Sequence, residues 1–185
     1  MQTTEYSKSV EVNGETMTFK FGKLAPRAEA AVTAQIGETV VMTAVSISSR
    51  DSQLDYFPLT VEYIEKFYAG GIISGSRFMK REMRPSDGAI LKARQIDHSI
   101  RSLFPKGFKK EVNVIVTLLS YDEVHDPVIL AVNSASMALM LSSIPFMGPS
   151  ASVKIGLQGE NLLVNPKNGE AEELDAEFMV SLRED

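Results

Sequence analysis

The sequence predicts an α+β domain, one sheet covered by helices. Strand and turn signals fill the first third, two helical patterns follow with a strand between them, and further strand signals close the chain. That order builds a sheet with helices packed on it. No internal repeat, low-complexity tract or linker divides the 185 residues, a length that suits one domain.

Val10 to Val12 leads into Asn13-Gly14, and Thr16 to Phe21 alternates after it. Asn-Gly between such runs signals a two-residue hairpin, because both central positions of the favoured turn need positive φ. Ala30 to Gln35 and Thr39 to Ile47 predict a second hairpin about Gly37-Glu38, and Phe57 to Tyr63 a half-buried strand with Phe57, Leu59, Val61 and Tyr63 on one face. Residues 65–85 read as a glycine-rich loop. Ser86-Asp87 reads as a helix start, with Ile90, Leu91, Ile96, Ile100 and Leu103 at helical spacing and Pro105 and Gly107 as the stop. Val112 to Leu119 is nearly all apolar, which predicts a strand buried on both faces. Asp126-Pro127 caps a helix from Val128 to Ser142 that is apolar all round and therefore expected to be buried. Val153 to Leu157 and Leu162 to Val164 form a hairpin about Gly159-Glu160, and Glu177 to Leu182 is a last strand. The chain ends four residues after Ser181 with no closing element, so a fragment of a longer polypeptide is expected.

Composition is ordinary for a folded protein, 44% hydrophobic and 23% charged. No cysteine is present, which excludes disulfides and thiolate metal sites and fits a reducing compartment. No signal peptide or apolar run of membrane-spanning length is found, so the expected location is the cytoplasm, away from membranes. The net charge of −5 argues against a general nucleic-acid coat, but the distribution is uneven. Residues 77–84 hold Arg77, Lys80, Arg81 and Arg84 against Glu82, while residues 160–185 are strongly acidic. A basic loop on an acidic body binds an anion at one place and repels it elsewhere.

Four groups of residues can carry chemistry. In the basic loop, Phe78 can stack on an unpaired base while Lys80, Arg81 and Arg84 follow phosphates; the plainer reading is a solvated loop. Arg94 and Arg101 lie two helical turns apart and can hold an anion, or Arg101 can pair with Asp97 four residues earlier. Asn133, Ser134 and Ser136 put polar groups into an apolar helix, where they bind phosphate, bond back to helix carbonyls or simply pack. Asp175 and Glu177 share a strand face and either hold a cation or protect an edge.

An ordered set of segments resembles a known family. Phe57-Pro58-Leu59-Thr60-Val61-Glu62-Tyr63, Tyr68-Ala69-Gly70-Gly71-Ile72, Gly75-Ser76, Lys80-Arg81-Glu82, Arg84-Pro85-Ser86, Ala93-Arg94-Gln95-Ile96-Asp97 and Ile100-Arg101-Ser102-Leu103-Phe104-Pro105 resemble the first ribonuclease-PH-like core of the bacterial polynucleotide phosphorylases. The resemblance runs from about Val10 to Leu182. It implies a mixed β-sheet with helices packed on it, of the βαβ kind seen in ribosomal proteins, truncated at the C-terminal end, with residues 1–185 as the first domain of a multidomain chain. It implies a phosphorolytic 3′–5′ exoribonuclease that releases nucleoside diphosphates, with inorganic phosphate as co-substrate and Mg²⁺ or Mn²⁺ in the other core. The implied partners are single-stranded RNA, two further copies in a homotrimeric ring, and RNA degradosome components. Phe78, Lys80, Arg81 and Arg84 correspond to the channel constriction that grips RNA, and Arg94 and Arg101 to the basic helix beyond it.

The same resemblance implies that this core has lost its chemistry. Ser134 and Ser136 fall near the family's phosphate-binding serines and Glu177 at its second metal-binding Asp, but Ala171 stands at the first Asp and Met179 at the lysine. No catalytic residue and no metal or cofactor are expected in this fragment, and Ser134, Ser136 and Glu177 remain only as remnants. An intact ribonuclease PH, active alone, is disfavoured by Ala171 and Met179. A non-catalytic RNA-binding ring subunit of an exosome-like complex is the alternative; it would close its fold with further strands and helices.

Overall fold

The computed structural model describes residues 4–73 and 84–183. A six-stranded sheet runs in the order β1 (Tyr6–Val12), β2 (Glu15–Phe21), β3 (Ala30–Ile36), β4 (Thr39–Asp51), β6 (Lys110–Ser120), β5 (Leu59–Glu65). All neighbours are antiparallel except β5 and β6, which are parallel. The connection between those two carries a 3₁₀ turn (Phe67–Gly70) and helix α1 (Asp87–Arg101), a βαβ unit. Asn13 and Gly14 both take positive φ, 53° and 78°, so the first hairpin closes through the turn that its sequence predicts.

Both long helices start where their caps place them. Ser86 accepts a hydrogen bond from the Ala89 amide at 3.0 Å, and Asp126 accepts from Val128 at 2.9 Å with Pro127 at the first helical position of α2 (Pro127–Leu141). They lie on one face of the six-stranded sheet, α2 over β3 and β4, α1 over β5. Val32, Val41, Val45, Val112, Val114 and Val116 from the sheet meet Ile96, Ile100, Leu130 and Leu139 from the helices in one core. A second, three-stranded antiparallel sheet, β8 (Asn161–Val164), β7 (Ser150–Gln158), β9 (Ala176–Arg183), lies against the other side of α2. A short helix, α3 (Asn168–Ala171), precedes β9. Enclosure by α1 and two sheets is why α2 is apolar around its whole circumference.

Three expectations need correction. The strands form two sheets, not one, because β7 pairs with β8 and β9 and leaves the larger sheet entirely. Strand β6 is buried on one face only: Val112, Val114, Val116 and Leu118 point to the helices, while Ile115 on the far face is 38% exposed. A continuous apolar run reports hydrophobicity but not which face a helix covers. In α1, Ile90 and Leu91 point outward, and Ala89, Ile96 and Ile100 make the buried stripe.

The β3–β4 turn is braced from below. Gly37 has φ +54°, and a Cβ there would stand 2.7 Å from Asp122 Oδ2 and 2.7 Å from His125 Cε1. Gly37→Ala therefore lowers the unfolding free energy by about 1–3 kcal/mol through left-handed strain and displacement of the Asp122 and His125 side chains. Urea unfolding of the variant checks this; a loss too small to measure would show that the Asp122–His125 loop yields freely.

Candidate functional site

Strand β5, the 3₁₀ turn and α1 leave a groove of about 1260 Å³ between them. Its walls carry Lys66, Arg84, Lys92, Arg94 and Arg101 against Glu62, Glu65 and Asp97, so cations outnumber carboxylates in this part of an acidic protein. Several of these charges are internally satisfied. Lys92 Nζ donates to Glu65 at 2.6 Å and stands 5.4 Å from the Tyr63 ring centroid. Arg101 donates to both Asp97 oxygens at 2.7–3.1 Å and to the Phe57 and Leu59 carbonyls at 3.3 and 3.1 Å. It thereby ties α1 to the start of β5, and the plain helical ion pair is present.

Arg84 and Arg94 differ. Both are exposed, both line the groove, and neither forms an ion pair among the described residues. Arg84 lies where the basic segment returns to the N-cap of α1. Phe78, Lys80 and Arg81 lie outside the described residues. On the groove wall the Tyr63 hydroxyl is buried with no hydrogen-bond partner among the described residues. A lone tyrosine on an alternating strand gives no sign of that in sequence.

The serines and acidic residues expected as catalytic remnants are engaged in structural contacts. Ser134 and Ser136 are 0% and 2% exposed, out of reach of a phosphate. Ser134 bonds the Thr43 hydroxyl of β4, and Ser136 accepts from the Ser150 amide of β7 at 2.9 Å. Asn133 accepts from Ser152 N and donates to Ser152 O, both at 2.8 Å, and also donates to the Ile129 carbonyl one turn earlier. These side chains clamp α2 to both sheets. The serines do not bond back to helix carbonyls; only Asn133 does.

Asp175 and Glu177 do not act together. Asp175 precedes β9 and accepts from the Gly159 amide at 2.8 Å. Glu177 meets Lys154 Nζ of β7 at 3.0 Å, and the same ammonium donates to Asp126. Burial alone would lower the Lys154 pKa, but hydrogen bonds and charge from Asp126 and Glu177 raise it above the usual value. Ala171 ends α3 and Met179 packs against the core, so neither adds a ligand. Among the described residues no three His, Asp or Glu side chains are grouped to hold a metal ion. The Lys154 ammonium lies between the Asp126 and Glu177 carboxylates, and this donor set does not fit a divalent cation. Sequence spacing gave no signal for Lys154, because Asp126 and Glu177 flank it at long range.

A third polar cluster closes the end of the sheet. Asp122 accepts from the amides of Glu38, Val124 and His125 at 2.9–3.1 Å and from His125 Nδ1 at 2.6 Å. Burial pushes its carboxyl up, but the hydrogen bonds from His125 and Val124 outweigh that and hold it far below the ordinary carboxylate range. A carboxyl depressed in the folded state stabilises fully above its unfolded pKa, near 3.8, and loses that contribution as pH falls below it. Acid unfolding of the wild type should therefore be steeper below about pH 4 than that of Asp122→Asn. Parallel acid titrations by circular dichroism check this; identical curves would mean that Asp122 contributes nothing to acid sensitivity.

Two sheets about a clamped central helix make a ribonuclease-PH-like domain. The chain superposes on rice Rrp46 with a TM-score of 0.67 at 11% identity, over 98% of this chain and 74% of that one. It superposes on a chain of the Archaeoglobus fulgidus exosome, solved with RNA bound to the active site, with a TM-score of 0.64 at 17% identity, over 97% and 72%. Those identities speak for the fold alone. The chain belongs to the 3′ exoribonuclease family, whose domain 1 pattern matches residues 14–145. It is 44% identical over 181 residues to the polyribonucleotide nucleotidyltransferase of Exiguobacterium sibiricum, covering 98% of this chain and 24% of the relative. To that of Geobacter sulfurreducens it is 45% identical over 183 residues, covering 98% and 26%. The chain spans about a quarter of the length of these curated relatives.

Proposed function

We propose that residues 1–185 form the first, non-catalytic core of a polyribonucleotide nucleotidyltransferase. The whole enzyme degrades RNA 3′ to 5′ with phosphate as the attacking group, and this domain holds single-stranded RNA and helps to build a homotrimeric ring. One observation supports the RNA role: Arg84 and Arg94 stand exposed on a cation-rich groove without an ion pair among the described residues, and Arg84 follows in sequence the segment that bears Phe78, Lys80 and Arg81. Planar guanidinium groups without internal carboxylate partners suit phosphate oxygens. Arg101 belongs to the same groove as a positioning residue, since its fork is already engaged.

Loss of chemistry follows from buried serines, the Lys154 ammonium beside Glu177, and Ala171 and Met179. Without aligned charge at the transferring group, phosphoryl transfer gains no stabilisation. Mg²⁺ or Mn²⁺ and phosphate therefore serve the other core of the full enzyme. We place the protein in the cytoplasm, with RNA degradosome components as further partners. No described helix is long and apolar enough to cross a membrane.

Incubating this chain with short poly(A), phosphate and Mg²⁺ or Mn²⁺ should release no nucleoside diphosphate. Clear turnover abolished by Glu177→Ala would overturn the non-catalytic assignment.

A further inference from the structure

A second cationic surface begins where α1 ends. From His98 to Lys110 the chain carries Arg101, Lys106, Lys109 and Lys110 and no carboxylate. Arg50 joins the lysines, because β4 ends beside the start of β6: Asp51 pairs with Lys110, and the Ser52 amide donates to the Lys109 carbonyl at 2.9 Å. Asp51, Asp55 and Glu111 flank these cations in sequence, yet Arg50, Lys106, Lys109 and Lys110 form no ion pair among the described residues. In a chain of net charge −5 they concentrate positive potential at one end of the sheet. The loop that displays them is fixed from beneath. Phe104 and Phe108 set their rings 4.7 and 5.8 Å from the Phe57 ring, and the Phe108 amide donates to the Pro105 carbonyl at 3.2 Å, closing the turn that carries Lys106. Arg101, on the groove wall, stands 6.0 Å from the same Phe57 ring and donates to the Phe57 carbonyl. Phe57 therefore joins the end of the groove to the lysine loop.

We infer that single-stranded RNA leaving the groove past Arg101 continues over Lys106, Lys109 and Lys110, so that the phosphate track of this domain is longer than its groove. The inference rests on the RNA reading of the groove and extends it to residues that do not line the groove. The groove follows α1, whose 15 residues span about 22 Å. An ammonium on a flexible stem meets phosphates at no fixed geometry, which suits a strand that has left a shaped cleft. Tyr56, one residue before Phe57, is 67% exposed. A ring among cations is the combination that holds single strands, by stacking and charge together. Continuity with the groove favours RNA over an acidic protein segment as the occupant.

The test is a salt titration of the full-length protein with oligo(A) of about 5 and about 15 nucleotides, the two ends of the range that single-strand binding surfaces engage. The groove alone holds the shorter strand, and the longer one overhangs it. Lys106→Ala, Lys109→Ala and Lys110→Ala together should leave the short strand's affinity unchanged and flatten the long strand's log–log slope by about 2, at about 0.7 per lysine. Lys106→Arg, Lys109→Arg and Lys110→Arg together keep the charges and should bind both strands as wild type does. Tyr56→Ala should weaken the long strand at every salt concentration with its slope unchanged. Contacts outside this domain are common to all variants and cancel in the comparison. A wild-type slope on the long strand in the alanine triple variant would overturn the inference. So would an equal loss on both strands, which would make the lysines a general field and not a track. Arg84→Ala with Arg94→Ala reports on the groove itself: wild-type binding there would sink the groove reading, whereas failure of the track shows in the lysine variants alone.

Discussion

Lys154→Met lowers the unfolding free energy by about 2–3 kcal/mol, because it leaves the Asp126 carboxylate half-buried without its counter-charge. Exposed ion pairs contribute only ~0.2–1 kcal/mol, whereas removing one partner of a buried pair costs ~3–5 kcal/mol. The Lys154 and Asp126 side chains are 16% and 20% exposed, which sets the expected cost between those limits. Glu177, at 41%, is the wetter partner, and Glu177→Gln should cost no more than about 0.5 kcal/mol. A rescue separates charge from packing. Adding Asp126→Asn to Lys154→Met removes the orphaned charge and keeps an N-cap for α2, so much of the loss should return. The Lys154 pKa is raised in the folded state, so its contribution is fully present below the unfolded value and lost only as pH rises through the higher folded one. The destabilisation should therefore be constant from neutrality to about pH 9. Urea unfolding measures all four proteins. A loss below about 0.5 kcal/mol for Lys154→Met would place the ammonium among the solvent-screened charges.

The features legible in the sequence are those that a few neighbouring residues decide. Asn13-Gly14 requires positive φ at both turn positions, and Ser86 and Asp126-Pro127 satisfy amides within three residues of themselves. The all-round apolarity of α2 correctly announced its burial. What failed to show depends on partners far along the chain. The second sheet rests on the pairing of β7 with β9, in which Ser152 faces Ser181 across a register that no local pattern encodes. Ile115 and the buried valines of β6 look alike in sequence, and only the placement of α1 and α2 separates them. Ser134 and Ser136 show the same limit: their hydroxyls are taken by Thr43 and Ser150, on strands either side of the helix. The groove was legible in part. Arg84 and Arg94 were singled out by charge and spacing, but the engagement of Arg101 with Asp97 and two carbonyls of another element decides its role, and only the fold displays it.

We propose that the groove and the basic residues 77–84 grip RNA through phosphates, with no chemistry of their own. Three cations, Lys80, Arg81 and Arg84, each meeting one phosphate, contribute about −2 to the slope of the log–log dependence of single-stranded RNA affinity on salt, since each contact contributes about −0.7. Changing all three to Ala should flatten that slope and weaken binding without regard to base sequence, because phosphate contacts carry no base information. Arg94→Ala should reduce the slope by about one contact, near 0.7. Phe78→Ala should behave differently, losing affinity at every salt concentration with the slope unchanged, because stacking releases no counterions. The measurement that tests the claim most directly is a salt titration of short-RNA binding to the full-length protein, wild type against the Lys80, Arg81 and Arg84 triple variant. The expected result is a slope flattened by about 2 and weaker binding at low salt. A triple variant that binds as tightly as wild type, with the same slope, would contradict it.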